Sequence, residues 1–169
     1  MRRSWMFILL MVLCISCHNK IAGTLGGGYV YEFDCSENEL NYCLESFKER
    51  RLNLAIPEKW KEFDDWEKRG YHFLNGKIFY FEGNADLIEE MYYVTVLRFS
   101  EEKTKVARVS IRSVFRKTTK FGQWLLFEDL KKSEQQRIER RFQELVLNEM
   151  IKNDCSCKEY TTITNWPSK

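Results

Sequence analysis

The sequence predicts an α+β fold: an antiparallel β-meander of four to five strands, with N-terminal helices and a C-terminal helix packed on the sheet. Apolar residues recur at helical spacing in 37–51 and 134–152, and β-branched and aromatic residues dominate the segments between them. Because helices, strands and a helix follow one another in blocks, the order favours α+β over an alternating βαβ fold.

Two helices are predicted in the first half. Ser36 followed by Glu39 is a capping-box pattern, and a helix of about 37–51 follows it. Pro57 suits the first turn of a second helix, which ends before Gly70. The buried side of the first helix is predicted from its spacing: Leu40, Cys43, Leu44 and Phe47.

The strands are predicted from side-chain type and from one turn signal. Asn75-Gly76 is typical of a type I′ hairpin, because both residues tolerate positive φ, and it would join 71–74 to 77–82. The other predicted strands are 29–33, 91–99, 105–116 and 123–127. Ser133 with Gln136 is a second capping box, and the helix after it carries one apolar stripe: Ile138, Phe142, Leu145, Val146 and Met150.

The N-terminus has the pattern of an export signal. Arg2 and Arg3 precede eleven uncharged apolar residues, 5–15. A membrane-spanning helix needs roughly 20 residues, so this run is too short to span and fits a secretory signal peptide.

The end of that segment, Ile15-Ser16-Cys17, resembles the lipobox of bacterial lipoproteins, although Cys14 stands where that family usually has Leu. The resemblance implies cleavage after Ser16 and acylation of Cys17. It divides the chain into a signal peptide (1–16), a lipidated cysteine with a flexible tether (17–31) and a single domain (32–169). Because His18 replaces the Asp that retains such proteins at the inner membrane, the resemblance implies the outer membrane, facing the periplasm. Cleavage without a lipid, which gives a secreted protein, is the alternative.

Cysteine arithmetic agrees with acylation. Cleavage removes Cys14 and the lipid occupies Cys17, which leaves an even set for two disulfides: Cys35, Cys43, Cys155 and Cys157. A Cys155–Cys157 bond would close a strained ring, so two bridges from the first helix region to the tail are expected, with their connectivity open. A metal site is the alternative, but the spacing is not that of a zinc knuckle and export favours disulfides. We therefore predict no metal and no cofactor.

Charge limits the kinds of partner. Of 27 basic residues, Arg2 and Arg3 lie in the signal, so the remaining 25 balance the 25 acids. A general nucleic-acid binder needs a strongly basic domain, so nucleic acid is not an expected partner. The charges are uneven, since 32–67 has eleven acids against five bases and 103–120 has seven bases and no acid.

Alternation along the predicted strand 105–116 predicts an arginine face. A side-chain period of two places Arg108, Arg112 and Arg116 on one side, about 13 Å apart, with Tyr93 or Tyr80 joining them according to register. Arg and Tyr dominate binding hot spots, so this face is a candidate docking surface for a protein with an acidic surface. The alternative is an ordinary solvated face whose acidic partners come from the chain itself.

These observations favour binding over catalysis, and an enzyme is not expected. Gly-x-Ser-x-Gly, His-Glu-x-x-His and Walker motifs do not occur. By analogy with short envelope lipoproteins, the expected function is that of an immunity protein against a periplasmic toxin, attached to the membrane only through its lipid. The alternatives are a structural or assembly lipoprotein of an envelope secretion or conjugation machine, and an enzyme of unknown type.

The lipid assignment predicts a labelling result. A palmitate analogue should label the wild-type protein but not Cys17→Ala, because that thiol is the acylation site in the resemblance. Equal labelling of both proteins would contradict it.

Overall fold

The computed structural model describes residues 29–71, 74–85, 87–97, 105–117, 122–153 and 155–163. Within these ranges the fold is α+β, as predicted: one antiparallel sheet with helical segments before and after most of its strands. The strands are β1 Val30–Phe33, β2 Gly76–Phe81, β3 Glu90–Leu97, β4 Ala107–Lys117, β5 Gly122–Leu126 and β6 Tyr160–Ile163. The predicted signal, Cys17 and most of the predicted tether lie outside the described residues.

The helices surround this sheet in chain order. They are α1 Glu37–Arg50, α2 Lys132–Phe142, a π-helical turn Gln143–Leu147 and α3 Asn148–Asn153. Short 3-10 turns occur at Leu52–Leu54, Glu58–Phe63 and Phe127–Asp129. No helix among the described residues is both long and apolar enough to cross a bilayer.

Strand β4 is the centre of the sheet. Residues 108–116 pair with β3 on one edge, and the other edge is shared between β1 at 107–110 and β5 at 113–117. Strands β2 to β5 therefore form the predicted meander. Strand β1 inserts beside β4, and β6, which the sequence reading missed, pairs with β1 at the sheet edge.

The sheet buries a core on each face. On one face, which we call the helix side, apolar side chains of the strands pack against those of α1 and α2; examples are Tyr31, Tyr92, Val109, Leu44, Phe47 and Phe142. On the opposite face, the tryptophan side, residues within 56–71 and Leu74 cover the sheet. Trp60 and Trp66 of this segment pack with Tyr93 and Phe115. The domain thus has three layers, with irregular backbone rather than a helix as the third.

Several local predictions need correction. The second predicted helix after Pro57 is only the 3-10 turn Glu58–Phe63. The predicted hairpin at Asn75-Gly76 is wrong, because β2 pairs with β3 and Tyr71 lies outside any strand. Asn75 does adopt the positive φ of 45° that the turn signal implied, but it leads into an edge strand.

Of the two predicted capping boxes, one is confirmed and one is wrong. At Ser36 the box is complete, since its hydroxyl accepts from the Glu39 N–H and the Glu39 carboxylate accepts from the Ser36 N–H. Helix α2 instead begins at Lys132, with Lys131 as N-cap and no side-chain cap, so the predicted box at Ser133 is wrong. Ser133 already lies inside the first turn.

Two disulfides join the start of the domain to its end, as predicted. Cys35 bonds Cys157, and Cys43 bonds Cys155, with Cα–Cα separations of 5.4 and 5.0 Å. The bridges link the entry of α1 and its second turn to the segment between α3 and β6. They close loops with sequence separations of 122 and 112 residues.

The pairing predicts a stability loss. Replacing both Cys43 and Cys155 by Ser should lower the free energy of unfolding by about 2–5 kcal/mol, the usual cost of losing a native disulfide. Urea unfolding measures this change, and non-reducing peptide mapping should find Cys35 attached to the Cys157 peptide. Recovery of a Cys35–Cys43 peptide would contradict the pairing.

Candidate functional site

The predicted arginine face is interrupted by a β-bulge. In the β3–β4 pair, Tyr93 lies opposite Ser113 and Val94 lies opposite Ile111, so Arg112 is an extra residue on β4. Such a bulge shifts the in–out alternation of every residue beyond it.

The bulge separates the three arginines. Ile111 and Val114 both lie in the helix-side core although they are three residues apart, and Phe115 lies in the opposite core. Arg116 therefore points to the helix side, whereas Arg108 is on the tryptophan side. The shared face predicted from strict alternation is wrong, and the role of these residues in partner binding stays a prediction.

Like Arg108, the predicted contact residues Arg112 and Tyr93 lie on the tryptophan side, and both are at the bulge. Arg112 is partly buried and its Nε donates to the hydroxyl of Thr95 at 2.9 Å. Burial lowers the pKa of Arg112, and the nearby Tyr93 and Glu128 oppose that effect. Tyr93 is only 3% exposed and stacks on Trp66, so it is a core residue rather than a surface anchor.

Acidic residues of the same chain form ion pairs with Arg108 and Arg116. Arg108 donates to Glu32 on the neighbouring β1 at 2.5 Å, so this pair uses an acid from the acidic segment 32–67. Arg116 donates to Glu90 at 2.7 Å and to Glu134 of α2 at 2.5 Å.

Glu90 is the centre of a buried charge cluster. It is fully buried and accepts hydrogen bonds from Arg116, from both terminal nitrogens of Arg137 (2.7 and 2.8 Å) and from the Tyr92 hydroxyl (2.9 Å). The guanidinium of Arg141 lies 3.8 Å away. Burial acts to raise the pKa of Glu90, but the hydrogen bonds and charges of Arg137 and Arg116 outweigh it and lower the pKa below its ordinary value. The cluster joins β3, β4 and α2, so Arg116 has a structural role.

A cleft at the edge of the sheet is a candidate site among the described residues. It has a volume of about 730 Å³ and lies beside β2, between α1 and residues within 52–71 and 74–75. Trp66, Ile78 and Tyr93 line its apolar side. Charged side chains from α1, from β2 and from the irregular segment form the rest: Glu45, Lys48, Glu49, Asp64, Glu67, Lys68 and Lys77.

Aromatic stacking makes one side of the cleft rigid. The rings of Trp66 and Tyr93 stack at 4.1 Å with an interplanar angle of 11°, and Arg69 lies 5.4 Å from the Trp66 ring. The indole Nε1 of Trp66 is buried without a hydrogen-bond partner. A buried donor in that state is costly.

Two opposite charges face this cleft without a salt bridge between them. Burial raises the pKa of Asp64, an effect that the charge of Lys48 opposes. Burial likewise lowers the pKa of Lys48, and Asp64 opposes that shift. Lys77 is only 7% exposed and is already paired with Glu45 at 3.0 Å. The cleft is therefore polar, with desolvated charges of both signs.

One exposed stripe of α1 borders the cleft. Tyr42, Glu45 and Glu49 are three and four residues apart and so share a helix face, and Leu52 follows in the next turn. Tyr42 is 70% exposed and Leu52 is 82% exposed. We call these four residues the α1 stripe. Helical spacing predicts the buried face of α1 but does not show which exposed residues adjoin a cleft, so the α1 stripe could not be predicted from the sequence.

The described residues offer no free thiolate to a metal. Cys43, Cys155 and Cys157 place their sulfur atoms within 4.8 Å of one another, the spacing of a metal site. All three take part in disulfides, so none is available as a ligand in this state.

The chain matches no known family model, no curated protein and no solved structure.

The charge cluster gives a prediction. Glu90→Gln should cost about 3–5 kcal/mol of unfolding free energy, because it leaves buried arginines uncompensated. Since the native pKa of Glu90 is lowered, its contribution is present above its ordinary pKa of 4.5 and is lost as pH falls through the native value. The difference in unfolding free energy between wild type and variant, measured by urea unfolding, should therefore shrink in acid.

Glu134→Gln, at a partly exposed member of the cluster, is the matched control and should cost about 1 kcal/mol or less. Equal losses for both variants would contradict the assignment.

Proposed function

We propose that this protein is an envelope-anchored binding module that captures a protein partner through the α1 stripe and the adjoining cleft. The observation that carries the proposal is the 82% exposure of Leu52, which lines a cleft of about 730 Å³. Tyr42, at 70% exposure, lies one helical turn before the cleft residue Glu45. Large apolar side chains that protrude beside a concave site are typical of contact surfaces, and aromatic residues dominate binding energy there.

The charge of the stripe indicates the chemistry of the partner. Glu45 and Glu49 lie between the two apolar side chains, and Glu49 is exposed. A complementary surface therefore presents a basic group between two apolar patches. This differs from the acidic partner expected from the sequence. The difference arises because the arginines are already paired within the chain. Arg108 pairs with Glu32, and Arg116 pairs with Glu90 and Glu134.

The cellular role follows from the proposed anchor. A domain tethered through Cys17 to the envelope is positioned to meet proteins that enter the periplasm. We propose an immunity role, in which the partner is an incoming toxin and the stripe blocks its action by binding.

The test uses the product of the adjoining gene, directed to the periplasm. Wild-type protein should protect cells from it, and Leu52→Asp and Tyr42→Asp should each abolish protection. With purified proteins, either change should weaken binding by about 30-fold, the equivalent of a hot spot of about 2 kcal/mol. Both side chains are exposed, so folding should change by less than about 0.5 kcal/mol.

Leu145→Asp is the matched control, because Leu145 is another exposed leucine, at 45%, in the π turn after α2. It should protect as wild type does. If Arg112→Glu abolishes protection while Leu52→Asp retains it, the arginine region is the site and the stripe is wrong. Harmless expression of the adjoining gene, with binding to a secretion component instead, would favour an assembly role.

A further inference from the structure

A second cavity lies on the helix side, at the opposite edge of the sheet from the cleft. It has a volume of about 340 Å³ and is formed by α2, the π turn, the start of β1 and the edge strand β6. Its lining is polar: Tyr29, Gln136, Glu139, Arg140, Gln143 and Thr162. This volume is at the lower end of the range for small-molecule sites, about 300–1,000 Å³.

Glu139 is the anomalous residue of this cavity. It is 4% exposed, and neither of its carboxyl oxygens has a hydrogen-bond partner. A buried carboxyl group in that state is costly, more so when ionised. Burial raises the pKa of Glu139 to about 8, and the nearby backbone N–H of Tyr29 offsets that only in part.

The neighbouring groups do not compensate Glu139. On α2, Lys132 donates to the Tyr29 hydroxyl at 2.6 Å and not to Glu139. Arg140, also on α2, is exposed and forms no ion pair with the described residues. From the strands, the hydroxyl of Tyr31 accepts from Gln143 at 3.2 Å. The hydroxyl of Tyr160 on β6 donates to Asn148 at 3.0 Å. The cavity thus holds a buried acid and an exposed guanidinium, both without a partner of opposite charge.

The backbone supplies a further observation. The α-helix changes to π geometry at Gln143, which lines the cavity. A π turn interrupts the regular hydrogen-bond pattern of an α-helix, and such turns occur often at functional sites.

We propose that this cavity binds a small zwitterion, a free amino acid or a close chemical relative, with its ammonium group on Glu139 and its carboxylate on Arg140. Glu139 and Arg140 are adjacent in sequence and line the same cavity, so one small ligand with both charges satisfies both. For this contact, the buried carboxyl group of Glu139 rotates into the cavity and accepts hydrogen bonds from the ammonium group of the ligand. The amides of Gln136 and Gln143 and the hydroxyl of Thr162 supply acceptors for its remaining N–H groups.

This site couples binding to a proton. The ligand keeps its ammonium protons, and Glu139, neutral in the free protein at pH 7, gives its proton to the solvent as the ion pair forms. Affinity should therefore fall about tenfold for each pH unit below the pKa of the free carboxyl. This inference does not depend on the α1 stripe, which lies elsewhere on the domain.

The experiment is isothermal titration calorimetry of the purified full-length protein with glycine, L-alanine and D-alanine. Ethylamine and acetate, which carry one charge each, are the comparison ligands. At least one amino acid should bind and release about one proton at pH 7, measured in buffers of different ionisation enthalpy. Glu139→Gln should abolish binding, and Arg140→Gln should reduce amino-acid affinity to that of ethylamine. Glu144→Gln, at an exposed acid of the adjoining π turn, should bind as wild type does.

Three results would overturn the proposal. The first is that no amino acid binds to protein whose circular dichroism shows it to be folded. The second is binding without proton release at pH 7. The third is equal affinity for ethylamine and amino acids together with no effect of Arg140→Gln, which would remove the carboxylate contact. If Glu139→Gln does not fold, proton release and Arg140→Gln still decide the matter.

Discussion

The packing of α2 on the sheet depends on one buried carboxylate, Glu90. An ionised carboxylate in a protein interior is stable only when charges and donors surround it, and here Arg116 and Arg137 supply both. Arg141 adds a positive charge at 3.8 Å and bonds two backbone carbonyls, of Glu82 and Ile88, in the segment between β2 and β3. Four parts of the fold thus share a single electrostatic centre, so strand register and helix position are fixed together.

Much of the fold could be predicted because its signals are local and periodic. The buried apolar faces of α1 and of the C-terminal helix, the β-rich middle and the even cysteine set each follow from the sequence. The bulge at Arg112 could not be predicted, since an extra residue inside an alternating run leaves the pattern intact until the partner strand is known. Strand β6 is four residues long and half polar, and it forms only because β1 offers it an edge.

The candidate sites were less accessible to sequence reasoning. Trp66 sits in a segment without regular period, where only its residue type indicated burial. Glu139 lies beside Ile138 on a helix rich in charge, and its burial depends on Tyr29 and Thr162, which come from distant parts of the chain. Strict alternation predicts Arg116 on the same face as Arg108, whereas the bulge turns it to the helix side, where Glu90 of β3 and Glu134 of α2 pair with it. In each case the deciding partner is remote in sequence.

The position of the disulfides determines how this domain would respond to mechanical force. Val30 pairs with Ile163 and Phe33 with Tyr160, so pulling the two ends apart loads the β1–β6 ladder one rung at a time. That unzipping stops at the Cys35–Cys157 bond, which lies just inside both strands. Beyond it, tension passes through covalent bonds and bypasses the sheet. A protein tethered at one end and pulled by a partner at the other would therefore lose only its outermost strand pair. The cavity that Thr162 of β6 lines would open with that pair, while the cleft beside β2 and the α1 stripe would stay folded.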